Sequence, residues 1–321
     1  MSLHRRLGSR AALRSAWGGL TPVQPKHDLL NGRQVTTSVG SAYVIDLPTF
    51  AAVRPPSPGP SSHLWQRLQL VYGIGPVIAS QLRTQGYNDL RDLCDHPRWG
   101  PRAKQVVAHI ENRDVARLRL AGARDSELLT FFGPHEIAVI DIETAGLARA
   151  LPVFLIGVAW PNGQRWYRRQ FVARHFDEEG GVLHLASSFL ADRPAIVSYN
   201  GRAFDEPFVG ARLAFHGMPR PSFLLHYDIY QETRQLRDAF GDCRLPTVTQ
   251  HMFGLDRGDD IPGHLVPELY YRYVQDQRPE LLLPILTHNA RDLEDVCRLL
   301  DVTFLFPGDR GWLKKAVGSD S

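Results

Sequence analysis

From residue 126 onward the hydrophobic pattern runs at the short period of strands before it lengthens to that of helices. Ile137–Ile142, Val153–Trp160 and Arg165–Val172 are apolar or alternating runs joined by turns with Gly146 and Asn162-Gly163, and they predict a three-stranded meander. A helix over Gly181–Leu190, a buried strand over Ala195–Tyr199 and a helix over Phe204–His216 follow, then mostly helical patterns to Phe306. Strands first and alternation afterwards predict a mixed-sheet α/β domain over residues 126–308, with helices on its faces.

Upstream the period is different. Leu64 to Ile110 reads as short helices punctuated by Gly73-Ile74-Gly75 and Gly100-Pro101, which predicts a small all-α module over 63–125. Before it, QVTTSVGSAYVIDLPTF at 34–50 predicts a short β hairpin, and RPPSPGPSS has the composition of a linker, giving a lead-in over 31–62. Residues 1–30 hold Arg5, Arg6, Arg10 and Arg14 with no acid before Asp28. They read as a basic tail, or as an Arg- and Ser-rich transit segment. Residues 309–321 form a short C-terminal tail.

Composition narrows the class. The 321 residues carry 37 Lys+Arg against 34 Asp+Glu, 43% hydrophobic residues and three cysteines. No apolar run approaches the roughly 18 residues of a membrane span, so no membrane partner is expected. Cys94, Cys243 and Cys297 form no CxxC pair, which suits a reducing, cytoplasmic setting and small buried apolar roles. The net charge of +3 conceals a gradient: +5 over residues 1–60, +4 over 61–125 and −6 over 126–321. A basic amino half beside a carboxylate-rich half suits metal chemistry on a polyanion; a basic tail with an ordinary solvated surface would give the same counts. No heptad or internal repeat points to an oligomer.

Three segments concentrate the acids. In AVIDIET, Asp141 and Glu143 at i and i+2 project from one face of a strand, where two dehydrated carboxylates repel and call for a cation unless the strand end simply reaches water. In SYNGRAFD a buried strand gives way to a glycine turn, and Asp205 stands where a helix begins, as a ligand or as a cap. In HNARDLEDV, His288 and Asp292 at i and i+4 share a helix face.

In order and type these segments resemble the DnaQ-like 3′→5′ exonucleases of the ribonuclease H-like superfamily. The closer resemblance is to the YprB-like family, carried by SYNGRAFDEPFV at 198–209, Asp228 in LLHYDIY, RGDDIPGHLVPELYYRYV at 257–274 and HNARDLEDV at 288–296. It covers roughly residues 134–304 and implies a ribonuclease H-like mixed sheet flanked by helices. By position it implies that Asp141, Glu143, Asp205 and Asp292 bind metal and that His288 is the general base. Hard oxygen ligands suit two Mg²⁺ or Mn²⁺ ions. The His-x-x-x-Asp spacing is that of the superfamily's tyrosine branch; its histidine branch normally has one residue more. Asp228, Asp259 and Asp260 are lesser candidates, for loop structure, substrate contact or metal. Tyr199 and Asn200 are candidates for the terminal nucleotide, whereas Tyr270, Tyr271 and Tyr273 read as core and surface of one helix.

The segment Leu68–Leu93 resembles a helix–hairpin–helix motif, whose hairpin aims backbone N–H groups at a nucleic-acid phosphate. Gly73 and Gly75 would make the hairpin, and Arg83, Arg102 and Lys104 would add diffuse attraction. A helical bundle using the two glycines only as a turn is the plainer alternative. The combined expectation is a metal-dependent 3′→5′ exonuclease acting on DNA or RNA. An endonuclease or RNA-processing nuclease on the same fold, or an inactive nucleic-acid-binding adaptor, are the competing readings.

Overall fold

The computed structural model describes residues 31–51 and 62–305. The basic tail, most of the linker and the C-terminal tail expected above lie outside the described residues.

The expected hairpin forms as β1 (Arg33–Thr37) and β2 (Gly40–Ala51). The helical module contributes α1 (Pro76–Thr84), α2 (Gly100–Glu111) and α3 (Val115–Leu120). Then come β3 (Ile137–Thr144), β4 (Val153–Asn162) and β5 (Arg165–Val172), the expected meander, and α4 (Glu179–Leu190), β6 (Ala195–Ser198) and α5 (Asp205–Phe215). The chain ends through β7 (Leu225–Asp228), α6 (Leu245–Phe253), α7 (Val266–Asp276) and α8 (Leu283–Leu305). Strand β7 corrects the expectation of mostly helix after residue 217: LHYD is a four-residue, fully buried run, too short for its period to declare itself.

All seven strands form one sheet in the order β1-β2-β5-β4-β3-β6-β7. β2 pairs antiparallel with β5, so the lead-in hairpin extends the central sheet. β3, β6 and β7 are parallel, which puts their carboxyl ends on a single edge. That edge is where ligands gather in open α/β sheets.

Two cores flank the sheet. One packs Ala138, Ile140 and Ile142 of β3 under α4, α5 and α7, with Phe154 stacked on Tyr270 at 3.6 Å. Tyr270 and Tyr273 are buried there and Tyr271 is partly exposed. The other joins Ile137, Val139, Val197 and Tyr227 to Leu293, Val296 and Leu300 of α8. It continues without a break through Leu128, Leu129 and Phe131 into Leu64, Leu82 and Ile110 of the module.

Helix α8 is held by alternate residues of β5, which face it from one side of the sheet. Trp166 donates to Asp301 at 3.2 Å, Arg168 to Glu294 at 3.0 Å and to the Ala290 carbonyl at 2.9 Å, and Gln170 to the Leu286 carbonyl at 2.8 Å. Helix α5 is anchored from behind by an ion pair between Arg212, which is 1% exposed, and Glu179 of α4, with bonds of 2.7 and 2.6 Å. Glu179 also accepts from the Val153 N–H at 2.9 Å and pairs with His216. Its carboxyl is held low, because these partners outweigh the burial that would raise it. Removing one partner of so buried a pair costs about 3–5 kcal/mol.

Candidate active site

Asp141 and Glu143 project from the carboxyl end of β3 on the side facing α8, and both are half-buried. A register shift between Glu143 and Thr144 ends the regular pairing there. Burial drives both carboxyls well above the usual range. Asp292, Glu143 and Asp205 push Asp141 further up, and Asp292, Asp205 and Asp260 do the same to Glu143. Three separated segments of the sequence therefore deliver their acids to one place.

Asp205 opens α5 and is buried. Its carboxyl is raised to about 7, chiefly by burial and then by Asp228 and Asp292, against hydrogen bonds from the backbone at Asp205 itself and at Ile142. The pull of the Ile142 backbone, and the electrostatic reach of Asp205 to both Asp141 and Glu143, set Asp205 against the carboxyl end of β3. Reading Asp205 only as a helix cap misses this contact.

The loop before Asp205 is shaped by Asp228. This buried carboxylate, at the end of β7, accepts from the backbone N–H groups of Asn200 at 2.7 Å, Arg202 at 3.2 Å and Tyr230 at 3.1 Å. Asn200 adopts φ +66°, the left-handed region that asparagine tolerates. Of the roles open to Asp228, loop structure is the one its contacts serve. The Tyr199 hydroxyl donates to the Cys243 carbonyl at 2.7 Å and meets Thr233 at 2.9 Å, so the ring and not the hydroxyl is available to a ligand. Behind the loop, Ser198, His226 and Glu206 form a chain with two contacts of 2.7 Å. Ser198 has no exposed surface, so this chain braces β6 against β7 and offers no nucleophile to solvent.

Helix α8 supplies the opposite wall. Asn289 donates from Nδ2 to Asp141 Oδ2 at 2.8 Å, while its Oδ1 accepts from Gln170 Nε2 at 2.9 Å. Neither Asn289 nor Gln170 is exposed. Asp141, Gly157 and Gln170 lie opposite one another on three adjacent strands. A Cβ at Gly157 would stand 2.2 Å from Asn289 Oδ1, so the missing side chain is the space Asn289 fills.

His288 Nδ1 lies 3.1 Å from both oxygens of Asp260, and its Nε2 lies 3.7 Å from Asp292 Oδ2. The Asp259-Asp260 pair thus divides: Asp260 turns inward and Asp259 is exposed. Arg257 binds Asp292 Oδ1 and Asp260 (3.1 Å) through Nη1, and grips Asp295 through Nε (3.0 Å) and Nη2 (2.5 Å). Asp295 accepts in addition from Thr249 at 3.0 Å. These neighbours raise the Arg257 guanidinium still further, against burial, which alone would lower it. The sequence pattern does not single out Arg257 or Asn289, although both lie inside the segments that carry the family resemblance.

Among the described residues no three His, Cys, Asp or Glu side chains form a group that could hold a metal ion as it stands. The donor chemistry nevertheless suits a hard divalent cation: Asp141, Glu143, Asp205 and Asp292 offer only carboxylate oxygens, and their mutual repulsion is a cost that a cation removes.

In the helical module, Gly73 takes φ +94° beside the Trp99 ring, whereas Gly75 is extended and opens α1 with nothing within 4 Å of where a Cβ would stand. Tyr72 and Val77, on either side of this turn, are exposed. Arg102 reaches the Tyr72 carbonyl at 3.4 Å, Arg83 the Gln66 carbonyl at 3.1 Å, and Lys104 is exposed on α2. Asp125 ties the module to the loop before Asp205 by accepting from Arg119 at 2.7 Å and Arg202 at 2.5 Å. Cys243 and Cys297 are buried as expected and Cys94 only partly so.

Residues 138–303, more than half of the chain, match the family described as the RNase_H superfamily. The chain belongs to the ribonuclease H superfamily. Its matched region holds all four acids and His288. The uncharacterized protein YprB of Bacillus subtilis (strain 168) is 33% identical over 170 residues, covering 50% of this chain and 40% of YprB, so the chain spans less than half of that relative's length. A family B DNA polymerase from the hyperthermophilic archaeon Pyrobaculum calidifontis aligns over 57% of this chain and 27% of its own, at 19% identity and a TM-score of 0.40. Membership of the ribonuclease H superfamily supports nuclease-type chemistry, and nucleases of this fold generally use divalent metals. No helix among the described residues is long and apolar enough to cross a membrane.

Proposed function

We propose that the protein is a metal-dependent 3′→5′ exonuclease that hydrolyses phosphodiester bonds of DNA or RNA, with its amino-terminal helical module holding the nucleic acid. The observation that carries this reading is the convergence of Asp141, Glu143, Asp205 and Asp292 within mutual electrostatic reach, beside a histidine whose Nε2 faces Asp292 at 3.7 Å.

The four acids would hold two divalent cations, which when bound polarise the phosphoryl oxygens and make a water acidic. His288 accepts the proton of the attacking water at Nε2, since Asp260 takes the Nδ1–H and fixes the ring. Arg257 holds Asp292 by Oδ1 and leaves Oδ2 on the side of His288. Asn289 restrains Asp141 in the same way from the helix side.

The module reading rests on the open backbone at Gly75 and on the exposed Tyr72, with Arg102 and Lys104 nearby. There α1 begins at Pro76, which has no N–H, so its first free N–H is that of the exposed Val77, where a phosphate contact would fall. The test is incubation of 5′-labelled linear DNA and RNA, and of a circular substrate, with Mg²⁺, Mn²⁺ or EDTA. The reading expects metal-dependent shortening from the 3′ end and an intact circle; a cut circle would indicate endonucleolytic action.

A further inference from the structure

A hollow opens on the same sheet edge as the acids. It has a volume of about 530 Å³, within the range of small-ligand sites, and lies where β6 and β7 end. Those strands are the first and second neighbours of β3 in the sheet, at about 4.8 Å per strand, so the hollow opens beside the strand that carries Asp141 and Glu143.

Its walls have the chemistry of a nucleotide site. Tyr199 and Tyr230 set their rings 5.7 Å apart at 74°, and the Tyr199 ring is pinned through its hydroxyl. Arg237 is exposed and lines the same hollow as Tyr230 and Cys243. Arg244, which also lines the hollow, is 82% exposed, with Nε 3.5 Å from Asp242. Asp242 already accepts from the Arg244 backbone N–H at 2.9 Å, and the two arginines leave the hollow with a net positive charge. Asn200, held in its left-handed conformation by Asp228, joins this hollow to the loop that ends in Asp205.

We propose that this hollow is a subsite for one nucleotide of the bound strand, taking the base against the Tyr199 and Tyr230 rings and the flanking phosphates on Arg237 and Arg244. The inference rests on the nuclease reading and deepens it, because it states how the strand leaves the acids. Aromatic faces accept any base and arginines accept any phosphate, so the subsite grips the strand without reading its sequence.

The test is fluorescence anisotropy of a 5′-fluorescein ten-nucleotide single strand, as DNA and as RNA, with the full-length Asp141→Asn chain in Mg²⁺ across a series of salt concentrations. Arg237→Ala/Arg244→Ala should weaken binding and reduce the slope of log K against log salt by about 1.4, or about 0.7 for each lost phosphate contact. Tyr230→Ala should weaken binding about 5- to 100-fold with the salt slope unchanged, and Tyr230→Phe should restore it. If the parent chain binds and all three variants match it in affinity and slope, the strand does not pass through the hollow and the proposal is overturned. If the parent binds neither strand and the wild-type chain cuts neither, the nuclease reading fails and takes the subsite with it.

Discussion

The Asn289 amide links Asp141 to Gln170: Nδ2 donates to Asp141 Oδ2 at 2.8 Å and Oδ1 accepts from Gln170 at 2.9 Å, with both amide side chains fully buried. A strand carboxylate raised by burial and three acidic neighbours is thereby fixed to helix α8, which covers that face of the sheet.

Asn289→Leu keeps the branched outline and removes both the donor to Asp141 and the acceptor of Gln170. Partners of metal-binding groups typically contribute 10- to 100-fold in metal affinity or activity. Turnover should fall by about that factor, with the apparent Mg²⁺ requirement shifted upward, while circular dichroism stays native. An unchanged Mg²⁺ dependence would show that Asn289 does not hold Asp141 for metal.

Gly157→Ala tests the same contact from the sheet. The new methyl would meet Asn289 Oδ1 at 2.2 Å and the Leu293 side chain at 2.8 Å. Overpacking of this kind costs about 1–3 kcal/mol, so the melting temperature should drop together with activity. Adding Asn289→Ala should recover much of the stability and none of the activity.

The pH dependence of stability follows from the raised acids. Asp205 titrates at about 7 in the folded chain, and Asp141 and Glu143 are shifted in the same direction. Between about pH 4 and pH 7 the folded state binds protons at these acids that the unfolded state has already lost, so their contribution to stability declines as pH rises through that window, opposed in part by His175 and His226, whose lowered folded-state values act in the other direction. Melting of the metal-free protein should show this decline. Asp205→Asn should flatten it, and Mg²⁺ should offset it at the upper end.

In the module, Gly75→Ala should fold normally, because its backbone is extended and a Cβ meets nothing within 4 Å. It should nevertheless weaken oligonucleotide binding, most at low salt, by standing between the backbone and a phosphate. Gly73→Ala should instead lower stability, since φ +94° is costly with a side chain and the Trp99 ring lies 3.2 Å away. Equal binding by Gly75→Ala and the parent would remove the hairpin from the phosphate contact.

Much of the sheet and most of the acidic cluster are legible in the amino-acid sequence. β3, β4 and β5 declare themselves because apolar runs with turn residues between them admit few other readings, and the acids stand out because carboxylates in an apolar strand demand compensation. β7 escapes because four buried residues carry no period. Arg257 and Asn289 escape for another reason. Nothing local in LDRGDD or THNARD says that these side chains turn inward; their roles exist only once α8 lies across β5 and Gly157 leaves room. The sheet pairing of the 33–51 hairpin is hidden likewise, since its partner β5 lies over a hundred residues away and pairing of that range leaves no mark in a single sequence.

The central claim is most directly tested by following 5′-labelled single-stranded DNA and RNA in parallel with Mg²⁺, Mn²⁺ or EDTA, for the wild-type chain and Asp141→Ala. The account predicts a metal-dependent ladder receding from the 3′ end with the wild-type chain and none with Asp141→Ala, whose fold is retained. Full activity in Asp141→Ala, or cleavage undiminished by EDTA, would contradict it.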